Sequence, residues 1–399
     1  MPSLSALLTR PLDDLRAQAR RLGLTVPRSP WREGLVTAIA HHQREGDDPH
    51  LGCGVLEVHS EGFGFLRSPY DDFRPGAEDI YVSQSQIRRF RLRTGDTVIG
   101  CIRPPKEQER YSALLRVELI NGAPPDSDVP AFDAQAAVHP STRLPLTRDA
   151  ALLAIDHVAP LGLGARGLVV GATSADRTDV LQRVARAFGA EEGLRLWVLL
   201  VAERPEEVTD WRDAFDVEVI ATPFDEAPAR HLHVATMTLE RARRLAERGE
   251  EIVVLIDGFN RLLRAAIAES DGGGKIEGVE ASALQRVRQL FSAGRDLRDA
   301  GSVTVLGTVG GDDALSGPLH HDLADVATWQ VTLRAAEAGA VPDPADSWAR
   351  REDLLLTPDE LARRRQWRSR LPTDLDGLTA AFRQLARPAA LDNEAAAGK

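Results

Sequence analysis

The chain has 399 residues and 43% hydrophobic content, enough for two or three domains with ordinary cores. Its net charge of −11 excludes a protein that binds polyanions over its whole surface, so a nucleic-acid site has to be a local basic patch. The only cysteines, Cys53 and Cys101, exclude a disulfide framework; no apolar run is long enough to span a membrane, and the N-terminus lacks a signal-peptide h-region, so the expectation is a soluble, cytoplasmic protein with no membrane partner. Residues 1–45 read as a small helical unit. Leu12, Leu15, Ala19 and Leu22 fall at helical spacing, "GLTVPRSP" interrupts, and Leu35, Val36 and Ile39 resume the pattern. From 51 to 121 short β-like runs ("GVLEV", "GFGFLR", "DIYVS", "TVIGCI", "YSALLRVELI") alternate with turn residues, which predicts a five-stranded barrel. Residues 122–140 form a Pro- and Asp-rich linker. From 141 to 388 the strands "RGLVV", "RLWVLLV", "VEVIAT", "EIVVLID" and "SVTVLGT" alternate with helices, the rhythm of a mostly parallel sheet. The last helices fall near 358–370 and 375–385, and 389–399 reads as a disordered tail. The fold class is multidomain, α+β followed by α/β.

Two stretches carry chemistry. In "EGFGFLR", Phe63 and Phe65 are two apart and share one face of a strand, with Arg67 next on that face. Spacing alone also fits two core residues. The flanking Gly62 and Gly64, together with Arg67, point instead to a stacking platform for unpaired bases with a cation to meet a phosphate. Between Gln86 and Arg116 there are eight Lys/Arg and three Asp/Glu, a local excess of five that leaves −16 for the rest. That asymmetry is what a confined nucleic-acid site needs in an acidic chain.

The second stretch is "GLVVGATSADRTDVLQRVA". A buried strand ends at Gly171, a helix follows, and the segment between has the register of the phosphate loop G-x-x-x-x-G-K-[ST]. Asp176 replaces the second glycine and Arg177 the lysine; Thr178 keeps the hydroxyl. A guanidinium fork is not a compact ammonium. A carboxylate about 4 Å from a phosphate costs roughly 4 kcal/mol at an intermediate dielectric, unless it turns away.

The run from "GVLEVHSEGFGFLRSPYDDFRPGAEDIYVSQSQIRRF" through "LRTGD", "IRPPKEQERY" and "ALL" closely resembles the primary RNA-binding domain of the bacterial transcription termination factor Rho family. The resemblance covers 1–45, similar to that family's helical cap, and continues almost to the C-terminus. It implies an OB or cold-shock-like barrel that holds single-stranded, pyrimidine-rich RNA, with Phe63, Phe65, Arg67, Tyr81, Glu109, Arg110 and Tyr111 at base-contacting positions. It implies a RecA-like ATPase domain working as a hexameric ring. ATP and Mg²⁺ would be held by Gly171, Arg177, Thr178 and Asp257, the last two on the metal. Glu203 in "ERPEEV" matches the water-activating carboxylate, Arg350 in "SWARREDLL" the arginine finger, and Lys275 in "GGGKIEGVEASAL" an RNA-binding channel loop.

The chain also departs from that pattern. Ser174 and Ala202 replace a lysine and an aspartate, "VGGDDALSGPLHHD" lacks a channel lysine, and "AEAGAVPDPADS" replaces a basic and aromatic adenine pocket. The expectation is an RNA-binding regulator of termination with impaired or lost ATPase, a pseudoenzyme that forms its own ring or joins that of an intact Rho. An active ATP-dependent helicase that releases RNA from RNA polymerase, and a cold-shock-like RNA chaperone, remain the alternatives.

Overall fold

The computed structural model describes residues 3–385 apart from 27–30, 44–49, 172, 190, 192, 271, 312, 313 and 338, so the predicted tail lies outside the described residues. Helices α1 (Leu4–Leu8), α2 (Leu12–Arg21) and α3 (Arg32–His42) come first. Helix α2 carries Asp13 and Asp14 in its first turn and Arg20 and Arg21 in its last, the sense that complements the helix dipole. Leu7, Leu15, Ala19, Leu35, Val36 and Ile39 close into one small core, as the helical spacing predicts.

Strands β1 (His50–Val58), β2 (Gly64–Arg67) and β3 (Ile80–Val82), helix α4 (Gln84–Phe90), and strands β4 (Thr97–Arg103) and β5 (Ser112–Ile120) follow. The strands close into a barrel in the order β1-β2-β3-β5-β4, with α4 between β3 and β4, which is an OB arrangement. Leu56, Leu66, Val82, Val98 and Leu114 fill its interior. A reciprocal capping box between Ser83 and Gln86 starts α4.

The linker is anchored rather than loose. Phe132 is fully buried between the guanidinium groups of Arg243 and Arg295, 5.5 and 5.3 Å from its ring centre, and its N–H donates to Glu247 at 2.6 Å. Strand β6 (Ala137–Val138) then adds to the edge of the next domain.

That domain contains β7 (Arg143–Leu144), α5 (Ala150–Val158), β8 (Leu161–Gly162), β9 (Arg166–Gly171), α6 (Ser174–Phe188), β10 (Leu194–Glu203), α7 (Pro205–Ala214), β11 (Glu218–Pro223), α8 (Pro228–Ala246), β12 (Glu251–Asp257) and α9 (Phe259–Ala268). After a hairpin of β13 (Lys275–Ile276) and β14 (Val279–Glu280) come α10 (Ala281–Phe291), β15 (Arg295–Leu297), β16 (Ser302–Val309), α11 (Ser316–Ala324) and β17 (Trp329–Ala336). Strands β18 (Gly339–Pro342) and β19 (Trp348–Ala349) and helices α12 (Pro358–Arg368) and α13 (Leu375–Leu385) complete it.

The main sheet runs β11-β10-β12-β16-β9-β17-β18, parallel from β11 to β17 and antiparallel at β18. The sequence reading lacks β17, although Trp329, Val331 and Leu333 alternate with polar residues there. Apolar cores cover both faces: Val169, Leu181 and Val198 lie on one side, Leu168, Val254 and Leu262 on the other. Because the strands are parallel, the loops after β9, β10, β12 and β16 leave the same edge, where ligands bind in such sheets. Among the described residues no helix is long and apolar enough to cross a membrane.

The N-terminal elements dock on this domain through charge as well as apolar contact. Glu33 of α3, only 2% exposed, meets Arg195 at 2.6 Å and Arg241 at 3.5 Å. Arg241 in turn lies 4.3 Å from the ring centre of Trp197. Burial opposes ionisation of Glu33, but the two guanidinium groups outweigh it and hold the carboxyl down at about 2.

Candidate nucleic-acid interface and nucleotide site

Neither Phe63 nor Phe65 belongs to the barrel core; both are half-buried. Strand β2 pairs so closely with β1 that a Cβ on Gly64 would lie 2.6 Å from the Glu57 carbonyl oxygen, so only glycine fits between the two rings. The rings gather with those of β3 and β5. Phe63 and Phe65 are 5.8 Å apart edge-to-face, Tyr81 lies 5.9 and 6.0 Å from them, and Tyr111 is 4.9 Å from Phe65. Tyr81 is 36% exposed, so the cluster opens to solvent. Beside it a cavity of about 560 Å³ is lined by Tyr81, Ser83, Gln86, Arg103, Glu109 and Tyr111.

The charged residues divide into two kinds. Arg110 is exposed and lies over the Tyr111 ring at 5.3 Å. Glu109 is held by Arg103 at 2.8 Å, and that hydrogen bond together with the Lys106 N–H lowers its carboxyl to about 2. Arg67, by contrast, is buried, with its guanidinium 5.0 Å from the Phe65 ring centre. Its Nε donates to Glu57 at 2.8 Å and its Nη1 to Asp79. The structure therefore places Arg67 beneath the aromatic face and committed to two carboxylates, not extended toward a phosphate. Sequence reasoning missed Glu57 and Asp79, and also His59, which stacks on Phe63 at 5.1 Å. Its position four residues before Phe63, across a tight turn, was the available signal. Lys275 lies in the other domain, exposed on the β13–β14 hairpin.

The phosphate-loop segment joins β9 to α6 as expected, but its polar groups are engaged with one another. Thr173 is the N-cap of α6 and Asp176 its third residue, and they form a reciprocal capping box. The Asp176 carboxylate accepts from the Thr173 N–H at 3.1 Å and from its hydroxyl at 2.7 Å; the Thr173 hydroxyl accepts from the Asp176 N–H at 3.2 Å. Helix N-terminal donors are what a phosphate uses. Here the anion at that terminus belongs to the protein itself. Arg177 is 6% exposed and bends back, donating to the carbonyls of Gly171 at 2.8 Å and Gly310 at 3.1 Å. Gly310 has φ +147°, and a Cβ there would lie 2.9 Å from the Arg177 Nη1. Its N–H is taken by Asn260 at 3.1 Å.

The neighbouring carboxylates do converge. Asp257 ends β12, and its two oxygens accept from Thr178 at 2.5 Å and Thr308 at 2.8 Å. Glu203 follows a β-bulge in β10, where Ala202 has φ +47° and the register shifts. Its carboxylate is paired with Arg261, which also donates to the Val201 carbonyl at 2.8 Å. Arg350 donates to the carbonyls of Ala327 at 2.7 Å and Asp325 at 3.0 Å, past the C-terminus of α11, where a cation complements the helix dipole. Thr178 and Asp257 have the chemistry and proximity of a Mg²⁺ ledge. In this arrangement Asp176 takes the Thr173 N–H and hydroxyl donors at the start of α6, and the Arg177 guanidinium is turned onto two backbone carbonyls.

An OB barrel with an aromatic face, carried on a RecA-like sheet with a phosphate-loop segment, defines an RNA-binding protein of the ATPase-fold class. Residues 52–126 match the Rho termination factor RNA-binding domain family. Over 379 residues the chain is 38% identical to the transcription termination factor Rho of Pseudomonas fluorescens biotype C, covering 90% of each chain. It is 36% identical to that of Escherichia coli (strain K12), again over 90% of each. The chain belongs to the bacterial Rho transcription termination factor family.

Solved structures agree at the level of fold. An ATP synthase subunit from Nanoarcheaum equitans aligns with TM-score 0.51 and 16% identity, over 62% of this chain and 66% of that one. The assembled type III secretion ATPase of enteropathogenic E. coli aligns with TM-score 0.50 and 16% identity, over 67% and 65%.

Proposed function

We propose that the protein acts in transcription termination by holding single-stranded, pyrimidine-rich RNA on the barrel. Phe63, Phe65, Tyr81 and Tyr111 serve as stacking surfaces, with Arg110 and Glu109 at the rim. The observation that carries this reading is the cluster of aromatic rings outside the barrel core, opening beside a cavity. Arg67 supports Phe65 from below. The names of the relatives agree with a role in termination.

For the α/β half there are two readings. The relatives give more support to an ATP-driven translocase that releases RNA from polymerase, since similarity covers nine-tenths of each chain. Thr178 and Asp257 would then hold Mg²⁺, Glu203 activate water, and Arg350 reach the neighbouring subunit's site in a hexameric ring, with Lys275 on RNA in the channel. One local observation favours the other reading, a regulator with impaired ATPase that forms its own ring or enters that of an intact Rho. That observation is the closed phosphate loop, with Asp176 in the capping box and Arg177 on the Gly310 carbonyl.

The deciding experiment is ATP hydrolysis by the purified protein with and without cytidine-rich RNA, followed by RNA release from a transcribing polymerase with and without an intact Rho. Turnover and release that depend on Glu203 establish the translocase. RNA binding without turnover, together with a changed yield from the intact Rho, establishes the regulator.

A further inference from the structure

Helix α8 belongs to the α/β domain, yet its first turns touch the barrel directly beneath the aromatic face. His233 places its Nε2 2.8 Å from Glu57 Oε1. The other oxygen of Glu57 accepts from Arg67 Nε at 2.8 Å, and the Arg67 guanidinium lies 5.0 Å from the centre of the Phe65 ring. The imidazole is itself fixed from behind. Arg230 Nη1 lies 3.1 Å from His233 Nδ1, and an arginine can only donate, so Nδ1 is the acceptor and the proton sits on Nε2, aimed at Glu57. Arg230 also donates to the Phe73 carbonyl at 3.1 Å, which ties this turn of α8 to the loop after β2.

We propose that His233 is a positioning residue for the RNA face: through Glu57 and Arg67 it sets the seat of the Phe65 ring, so that the α/β domain contributes to the affinity of the barrel. The inference rests on the reading of the aromatic face as the RNA site. The two donors, His233 and Arg67, converge on Glu57, one on each carboxylate oxygen, so Glu57 couples them. Burial disfavours a charged Glu57, while hydrogen bonds from His233 and Arg67 hold its carboxyl down at about 2, so it stays an acceptor for both. Asp79 holds Arg67 from its other side. With the imidazole removed, Glu57 keeps Arg67 as its only side-chain donor of this set, and the guanidinium under Phe65 loses the restraint that fixes its plane. No base need touch His233 for the effect to reach a stacked base.

The test uses the full chain and a labelled oligocytidylate, with affinity read by fluorescence anisotropy and folding by the thermal midpoint. His233→Ala should weaken binding roughly three- to tenfold, the scale of one lost hydrogen bond. His233→Gln, whose amide can donate to Glu57, should recover most of that loss. In a Phe65→Ala background the His233→Ala change should have no further effect, because the ring it positions is gone. A purely structural role for His233 would lower the midpoint without this dependence on Phe65. Unaltered affinity in His233→Ala, with Phe65→Ala still weakened, overturns the inference and leaves the RNA site standing. Unaltered affinity in Phe65→Ala itself removes the site, and the inference falls with it.

Discussion

The barrel face and the phosphate loop have the same ancestry in one family, and they satisfy their polar groups in opposite ways. On the barrel, the Arg67 charge is paired with Glu57 and Asp79 below the rings, and Tyr81 and its neighbours keep an outward side. In the phosphate loop, the Asp176 carboxylate takes an N–H donor that a phosphate would use, and the Arg177 guanidinium, the cation a phosphate would meet, is spent on the Gly171 and Gly310 carbonyls. Which residues are present matters less than where their hydrogen bonds go. A buried polar group must find a partner, and a site stays open only when that partner lies behind the binding surface.

The largest expected effect breaks the open side of this contrast. Phe63→Ala with Phe65→Ala should remove two stacking surfaces, each worth roughly 1–3 kcal/mol, and abolish binding of a cytidine oligomer at micromolar protein. Anisotropy titration checks it, and undiminished binding would make these rings structural. The closed side can be opened in turn. Asp176→Gly with Arg177→Lys removes a carboxylate worth up to about 4 kcal/mol of repulsion and frees the helix N-terminus. ATP binding measured by calorimetry should then appear or tighten by orders of magnitude. Equal ATP affinity before and after would show that the loop is already open in solution.

A third effect concerns the hold of one half on the other. The Glu33 carboxyl titrates at about 2 in the folded chain against an ordinary 4.5, so its stabilisation is fully present above about pH 4.5 and is lost as pH falls toward 2. The difference corresponds to about 3 kcal/mol. Thermal midpoints should fall steeply across that window, and in Glu33→Gln, already less stable at neutral pH, the fall should be shallower. An identical pH profile in the variant would remove Glu33 from the acid response.

Much of this architecture was legible because it rests on local pattern. Apolar runs such as Ile252–Ile256 gave the parallel strands, and the two-residue spacing of Phe63 and Phe65 gave a shared face. Arg67 sits on that face, as the spacing says, but its role depends on Asp79 and Glu57, partners that only barrel closure brings together. The fate of Arg177 depends on Gly310, 133 residues away, and that of Glu57 on His233, 176 residues away. Periodicity carries no information at that range. Asp176 is a different case: Thr173-x-x-Asp176 is a visible capping pattern, and reading it as a helix start explains the aspartate without reference to a phosphate.

The smallest expected effect tests that last point. If residues 173–176 are chiefly a helix terminus, the Thr173 hydroxyl contributes to stability in the absence of any ligand. It accepts from the Asp176 N–H at 3.2 Å and donates to the Asp176 carboxylate at 2.7 Å, so Thr173→Ala removes both bonds. Loss of such a cap costs about 1 kcal/mol, which in a domain of this size lowers the melting temperature by roughly 2–4 °C. The same change in a working phosphate loop would act differently. The ligand-free protein would melt almost as before, and the loss would appear as a smaller rise in melting temperature when ATP and Mg²⁺ are added. Measuring both melts on both proteins separates the two. A drop without ligand and no ATP-dependent rise in either protein marks the closed loop; an unchanged ligand-free melt with a clear ATP-dependent rise in the parent chain marks an open one and restores the likeness between the two halves.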